Sequence, residues 1–287
     1  MSVFLWPLPR NLSTGNGTVT FGTLRISIPS GSDVLEDAAT RYHAIINAGN
    51  GPSMAVIFNV SVTVASLSAP LSPGASDESY TLEADSGGCS IAAATPWGAL
   101  RGMETLSQLV DHTSAGHFQM VVPVHISDAP RFKWRGLMLD TGRNFLTPTS
   151  IEMALDAMAY SKLNVLHWHI SDDQSFPVVS SAVPSLAGAG AFSPKHTYSQ
   201  ADVERIVTYA RARGIAVLPE LDVPGHTRSW VVGNPQLESR CSAHAHVGVW
   251  ISAYAAGLPL SQPRVKLGLS SLSFWGFTTN NIGFCEL

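Results

Sequence analysis

Met158 to Asp173, MAYSKLNVLHWHISDD, passes from a helical period into an apolar strand that ends in charge. Working backward, Ile151, Leu155, Met158 and Ala159 form one stripe, predicting a helix over 150–162, and Gly136 to Asp140 (GLMLD) predicts the strand before it. Working forward, Val203, Ile206, Val207 and Ala210 form the buried stripe of a second helix over 201–213, followed by a strand over 215–220. Ser199 with Asp202 makes a capping box at its start, and Gly214 ends it. Strand, helix, strand, helix, strand with continuous apolar strands is a parallel α/β unit.

Each of these strands runs into a polar cluster: Asp140 and Arg143, then His167, Trp168, His169, Asp172 and Asp173, then Glu220, Asp222 and His226. A single such residue can equally cap a helix. Three successive strand ends with the same pattern match the carboxyl-end face of a (β/α) barrel, where polar groups converge. His167 and His169 straddle Trp168, so both point to one face of the strand, as hydrogen-bonded histidines rather than a metal pair. Asp173 and Glu220 read as hydrogen-bond acceptors without a chemical step of their own.

The part before Pro130 mixes strand-like runs (19–28, 53–64, 79–83, 117–125) with two helices. The first places Leu35, Ala38, Ala39, Tyr42, Ile45 and Ile46 on one face. The second, over 95–110, does the same with Trp97, Leu100, Met103 and Leu106. An α+β domain with helices on one face of a sheet follows. Residues 66–77, rich in Ser, Pro and Gly, are a loop.

The whole chain has 287 residues, 45% of them hydrophobic and 13% charged, which is enough for a large core. A formal charge of -4 offers no basic surface to a phosphate backbone, so nucleic acid is not expected as a partner. No run approaches the roughly 18 apolar residues of a membrane span, and no basic start with an apolar segment marks a leader, so the default compartment is the cytosol. Against that stand sequons at Asn11, Asn16 and Asn59, which are glycan acceptors only in a secretory compartment. Three widely spaced cysteines, Cys89, Cys241 and Cys285, make neither a disulfide scaffold nor a zinc site.

Three segments carry a resemblance: DAPRFKWRGLMLDTGRNF (Asp128–Phe145), MAYSKLNVLHWHISDDQSFP (Met158–Pro177) and YARARGIAVLPELDVPGHTRSW (Tyr209–Trp230). They resemble the first part of a β-N-acetylhexosaminidase barrel of glycoside hydrolase family 20. Leu5 to Pro9 (LWPLP) and Ser79 to Val110 resemble the non-catalytic domain that precedes it in the eukaryotic lysosomal and vacuolar enzymes.

The resemblance implies an α/β fold: an incomplete (β/α)8 TIM barrel, about three strands recognisable, behind an α+β domain. It implies domains at 1–130 and 131–241, with an unrelated-looking low-charge tail at 242–287. The implied partner is a glycan ending in N-acetylhexosamine, with no cofactor and no metal; a homodimer is a known form of the full-length family, and the lysosome, vacuole or exterior its compartment. In the family the sugar's acetamido oxygen attacks the anomeric carbon, an Asp orients it, and a neighbouring Glu protonates the leaving oxygen, an exception to the paired-carboxylate scheme. Arg143 matches the arginine that holds sugar hydroxyls, and Asp172 and His226 match the Asp and His that support the acid.

No H-x-G-G-D-E string, the family's source of the orienting Asp and acid Glu, follows Trp230. Asp77-Glu78, the only adjacent Asp-Glu, sits in the first domain's loop and cannot stand in. Only 157 residues run from Arg131 to Leu287, against about 250 for a whole barrel. The tail therefore reads as foreign sequence joined where the barrel is cut. The resemblance pairs Cys241 with a cysteine beyond the missing segment and Cys89 with a position that is Ser32 here, so neither family bridge is expected. The chain is expected to be an inactive relative, with weak N-acetylhexosamine binding or a truncated product without its own role as the alternatives.

Overall fold

Along Ile57–Val64 every second residue is buried, with Phe58, Val60 and Val62 facing in and Ile57, Asn59 and Ser61 facing out, which is how a strand covered on one face alternates. The computed structural model describes residues 3–48, 55–223, 225–241, 244–249 and 266–269. They divide into two compact units. One comprises 1–135, 155–164 and 209–216, and the other 136–154, 165–208 and 217–287.

The first unit holds strands β1 (Asn11–Phe21) and β2 (Thr23–Ser27), helix α1 (Asp33–Ile46), strands β3 (Ile57–Val64), β4 (Tyr80–Asp85) and β5 (Gly88–Ala93), helix α2 (Pro96–Leu109), and strands β6 (Asp111–His112) and β7 (Phe118–Asp128). The sheet runs β1-β7-β4-β5-β3-β2, with β6 beside β7. It is mixed: β2, β3 and β5 are parallel, and β5, β4, β7 and β1 antiparallel. Leu35, Ala38 and Tyr42 of α1 and Trp97, Leu100, Met103 and Leu106 of α2 share one core with Leu82, Ile91, Val124 and the inward residues of β3. Ser32 and Thr95 cap the helices by accepting from Leu35 N (3.4 Å) and Gly98 N (3.3 Å). Cys89 is buried and free, and burial pushes its thiol up to about 12.

Glu78 does structural work in this unit. Its carboxylate accepts from Arg101 Nε (2.7 Å), Arg135 Nη2 (2.5 Å) and Asn164 Nδ2 (2.7 Å). Burial alone would push this carboxyl up, but Arg101 and Arg135 outweigh it and hold it below its ordinary value.

After β7 the order is β8 (Gly136–Asp140), α3 (Pro148–Tyr160), β9 (Val165–Ser171), α4 (Ser185–Gly190), α5 (Gln200–Arg211), β10 (Ala216–Val223) and α6 (Arg228–Gly233), all in the second unit except the part of α3 from Leu155, the end of α5 from Tyr209 and Ala216 of β10, which belong to the first. A 3-10 turn at Pro235–Leu237 precedes β11 (Glu238–Cys241), β12 (His244–Val249) and β13 (Lys266–Leu269). β8 and β9 are parallel, as are β10 and β13, and the sheet order is β13-β10-β9-β8. Among the described residues this sheet is not closed into a barrel. Leu137 and Met138 of β8 are accordingly exposed.

Ile151, Leu155, Met158 and Ala159 are buried, and Ser199 and Asp202 exchange the capping-box hydrogen bonds at 2.9 and 3.1 Å. One expectation is corrected: Val207 is exposed rather than part of the buried stripe of α5. The stripe centres on Ile206 and Ala210, so Val203 lies on its shoulder and Val207, about 100° round the helix from Ile206, turns to solvent. The tail expectation falls mostly outside the described residues; of it only 244–249 and 266–269 are seen, as strands. Cys285 and the side chains of Cys241, His244 and His246 also lie outside them.

Replacing Glu78 by Ala leaves the buried Arg101 and the partly buried Arg135 without their counter-ion. Urea unfolding of Glu78→Ala should show a loss of about 3–5 kcal/mol. Because the folded carboxyl lies below its ordinary 4.5, its contribution is complete above that pH and is lost on acidification through the lower folded value. A variant that unfolds at the wild-type urea midpoint would show that the two arginines do not depend on Glu78.

Candidate active site at the strand ends

The parallel register of β8 on β9 sets Asp140 beside His169 and Met138 beside His167, so these four share a face, while Leu139 and Trp168 take the other. On that other face Trp168 is fully buried, donates from Nε1 to Thr141 Oγ1 (2.9 Å) and meets Tyr198 edge-on, which stacks on Phe145. The side that carries the histidines is thereby fixed from behind.

β9 ends at Ser171, and the next residue, Asp172, is held by its backbone. Its N donates to Ser175 O (3.0 Å), and its O accepts from Ser175 N (3.2 Å) and Ser229 Oγ (2.6 Å). Gly142 in the turn after β8 presses against this point. A Cβ there would stand 2.6 Å from both Asp172 N and the Ser171 carbonyl carbon, so only glycine fits the approach.

The Asp172 side chain is 1% exposed. One oxygen, Oδ2, takes Arg143 Nη2 and His169 Nε2, both at 2.8 Å. The other, Oδ1, takes Asp173 N (2.7 Å) and His226 Nδ1 (3.2 Å). Burial alone would raise this carboxyl, but the donors from His169, Asp173 and His226 hold it below the usual carboxylate range. Arg143, Asp172 and His226, the three residues singled out by resemblance, therefore meet at one carboxylate. His226 reaches it from a left-handed backbone, φ 58°, a conformation that costs a non-glycine residue on the order of 1 kcal/mol and that clusters at functional sites.

Arg143 is gripped a second time, by Asp140 Oδ2 at 2.5 Å, yet stays open to solvent. That clamp went unread in the sequence, although the i, i+3 spacing of Asp140 and Arg143 was its signal. Glu220 on β10 accepts from His167 Nε2 (2.5 Å) and His169 Nδ1 (2.9 Å). The His169 hydrogen bond, opposed by burial and joined by His167, keeps Glu220 down at about 2. His169 is conversely raised to about 9, first by its bond to Glu220, against burial, with Asp172 adding to it. Asp173 accepts from Arg228 N at 2.9 Å.

Among the described residues, two triads bring donor atoms within 4.8 Å: His169 with Glu220 and Asp222, and Asp172 with Asp173 and His226. Neither suits a metal ion. Both nitrogens of His169 already face carboxylates, and both oxygens of Asp172 are filled.

Residues 132–265 match the family model described as glycosyl hydrolase family 20, catalytic domain, and residues 51–109 one described as β-acetyl hexosaminidase like. Among curated proteins, the β-hexosaminidase subunit β of Felis catus is 41% identical over 256 residues, covering 83% of this chain and 48% of that protein. The chain thus spans about half the length of the curated relatives it matches. Among solved structures, a Flavobacterium johnsoniae chitobiase superposes with a TM-score of 0.71 at 32% identity, over 82% of this chain and 37% of the other. A mutant Streptomyces plicatus β-hexosaminidase in complex with product (GlcNAc) superposes with a TM-score of 0.67 at 25% identity, over 86% and 50%.

A methyl group at position 142 has to displace backbone. Gly142→Ala should cost about 1–3 kcal/mol in thermal unfolding, the range for overpacked sites, and should move the side-chain NMR signals of Arg143. Unchanged Tm together with unchanged Arg143 signals would mean that the turn adapts and that the close approach does not set the site.

Proposed function

Since residues 132–265 match the model of the glycosyl hydrolase family 20 catalytic domain, we propose that this chain carries the sugar-anchoring half of a β-N-acetylhexosaminidase site and binds a terminal, non-reducing N-acetylhexosamine without hydrolysing it. The observation that carries this reading is the meeting of Arg143, Asp172 and His226 at one buried carboxylate, with the guanidinium still open to solvent. A guanidinium is a rigid fork of five N–H donors: Asp140 takes Nη1 and Asp172 takes Nη2, each terminal nitrogen keeps a second N–H, and the side chain is 41% exposed, so donors remain for vicinal sugar hydroxyls. Asp172 and His226 are the supports from which a catalytic acid would take its orientation.

Chemistry needs two carboxyl groups more: one to orient the acetamido group and one to protonate the leaving oxygen. Within these 287 residues no adjacent Asp-Glu follows Trp230. Glu78 is consumed by Arg101, Arg135 and Asn164. Glu220, ionised down to about pH 2, is a poor proton donor near neutrality. For compartment the proposal follows the family, lysosomal, vacuolar or secreted; Asn11, Asn16 and Asn59 are all exposed, as glycan acceptors must be.

Two measurements test this. A chromogenic β-N-acetylglucosaminide should not be turned over, since general acid catalysis alone contributes ~10²- to 10⁴-fold and loss of acetamido orientation costs more. Turnover near that of a full-length relative, insensitive to Asp172→Asn, would sink both the inactivity and the site assignment. N-acetylglucosamine itself should bind on the order of millimolar, since a monosaccharide held by a few polar groups gains about 4 kcal/mol. In an NMR titration Arg143→Ala should lose that binding; equal shifts in both proteins would place the sugar elsewhere.

A further inference from the structure

We propose that His169 is a positioning residue of this site: a ring protonated on both nitrogens, bridging Glu220 and Asp172, whose positive charge keeps Arg143 available to the sugar. The inference rests on the reading of Arg143, Asp172 and His226 as a sugar site and adds to it a residue that touches no sugar.

The geometry comes first. An ionised carboxylate only accepts, and His169 faces one from each nitrogen, Glu220 Oε2 at 2.9 Å from Nδ1 and Asp172 Oδ2 at 2.8 Å from Nε2. Both contacts are hydrogen bonds only if both nitrogens carry a proton. A neutral ring has one N–H and would set a lone pair against one carboxylate. The charged groups around the ring agree: Asp140 lies beside it on β8, Glu220 and Asp222 face it from β10, His167 shares Glu220 with it, and Arg143 shares Asp172. Carboxylates outnumber cations there, and the balance favours the proton.

The consequence for the sugar runs through Asp172 Oδ2, which His169 and Arg143 share at equal distance. With His169 charged, the carboxylate's demand is divided between two cations. If His169 loses its Nε2 donor, water cannot replace it at a side chain 1% exposed, and Arg143, already held by Asp140, is drawn harder onto Asp172. Sugar hydroxyls then compete with two carboxylates that are both fully charged toward the guanidinium, and affinity falls.

The test uses the full chain with 15N-labelled histidine, and N-acetylglucosamine as the probe. At about pH 7.5 both ring nitrogens of His169 should carry protons. Because the folded value lies above the ordinary 6.5, the charge should persist through neutrality and be lost as pH rises through about 9. Sugar affinity should follow: steady from about pH 6.5 to 8, then roughly tenfold weaker by about pH 10, the cost of one charge-assisted hydrogen bond, with circular dichroism confirming that the chain remains folded. His169→Gln should show the weakened affinity already at pH 7 and no further decline, a pH profile that a purely space-filling side chain would not change. A ring bare on one nitrogen at pH 7.5, or a Gln variant that binds like the parent at pH 7, overturns the proposal. Should the variant not fold, the wild-type pH series decides alone. A chain that binds no sugar at any pH while His169 stays doubly protonated would instead sink the sugar-site reading, and the affinity role with it.

Discussion

A carboxylate with almost no access to water has to be met by donors, and Asp172 is the group whose demand organises the strand ends. Its two oxygens need four partners, and they come from four places: the turn after β8 (Arg143), the body of β9 (His169), the next backbone N–H (Asp173) and the turn after β10 (His226). No single segment could supply them. An unmet buried charge costs several kcal/mol, so strands and turns must reach one relative placement for Asp172 to be buried at all. That requirement explains both a glycine where the first turn touches the second strand end and a histidine in a left-handed backbone.

Glu78 in the other unit is a useful contrast, because it is equally buried and answered by two arginines and an asparagine, yet nothing about it suggests chemistry. All its partners are themselves shielded: Arg101 and Arg135 side chains are 3% and 15% exposed. Around Asp172 the inner shell is closed but its outermost members, Arg143 and His226, are 41% and 47% exposed. A buried carboxylate surrounded by buried partners holds a fold together. The same group with partners that open to solvent can hold something that arrives from solvent.

How much of this was legible in the sequence depended on burial period and on length. Helices α1, α2, α3 and α5 and strands β8, β9 and β10 were readable because each carries an apolar stripe or run, although β8 leaves Leu137 and Met138 exposed and α5 turns Val207 to solvent. The first half of β1 was missed because its residues there are mostly exposed and polar, and β5 because Gly88 to Ala93 is short and rich in small residues. Helices α4 and α6, six residues each, have too few turns to show a period. Asp140, Arg143, Asp172 and His226 were visible as strand-end polar residues. What stayed hidden was pairing: that Glu220 takes both His167 and His169, and that His169 reaches Asp172 as well, depends on register across three strands, which no local pattern encodes.

The ionisation of this cluster bears on what kind of site it is. General acid–base work is best done by a group whose proton affinity lies near the working pH, so that it both holds and releases the proton. Here the central pair is driven in opposite directions, Glu220 to about 2 and His169 to about 9. Between those limits the pair is locked as an ion pair, and a locked ion pair moves no proton. What it can do is hold geometry, with charges that stay fixed between those two limits. A strand-end cluster built in this way positions the groups around it rather than passing a proton between them.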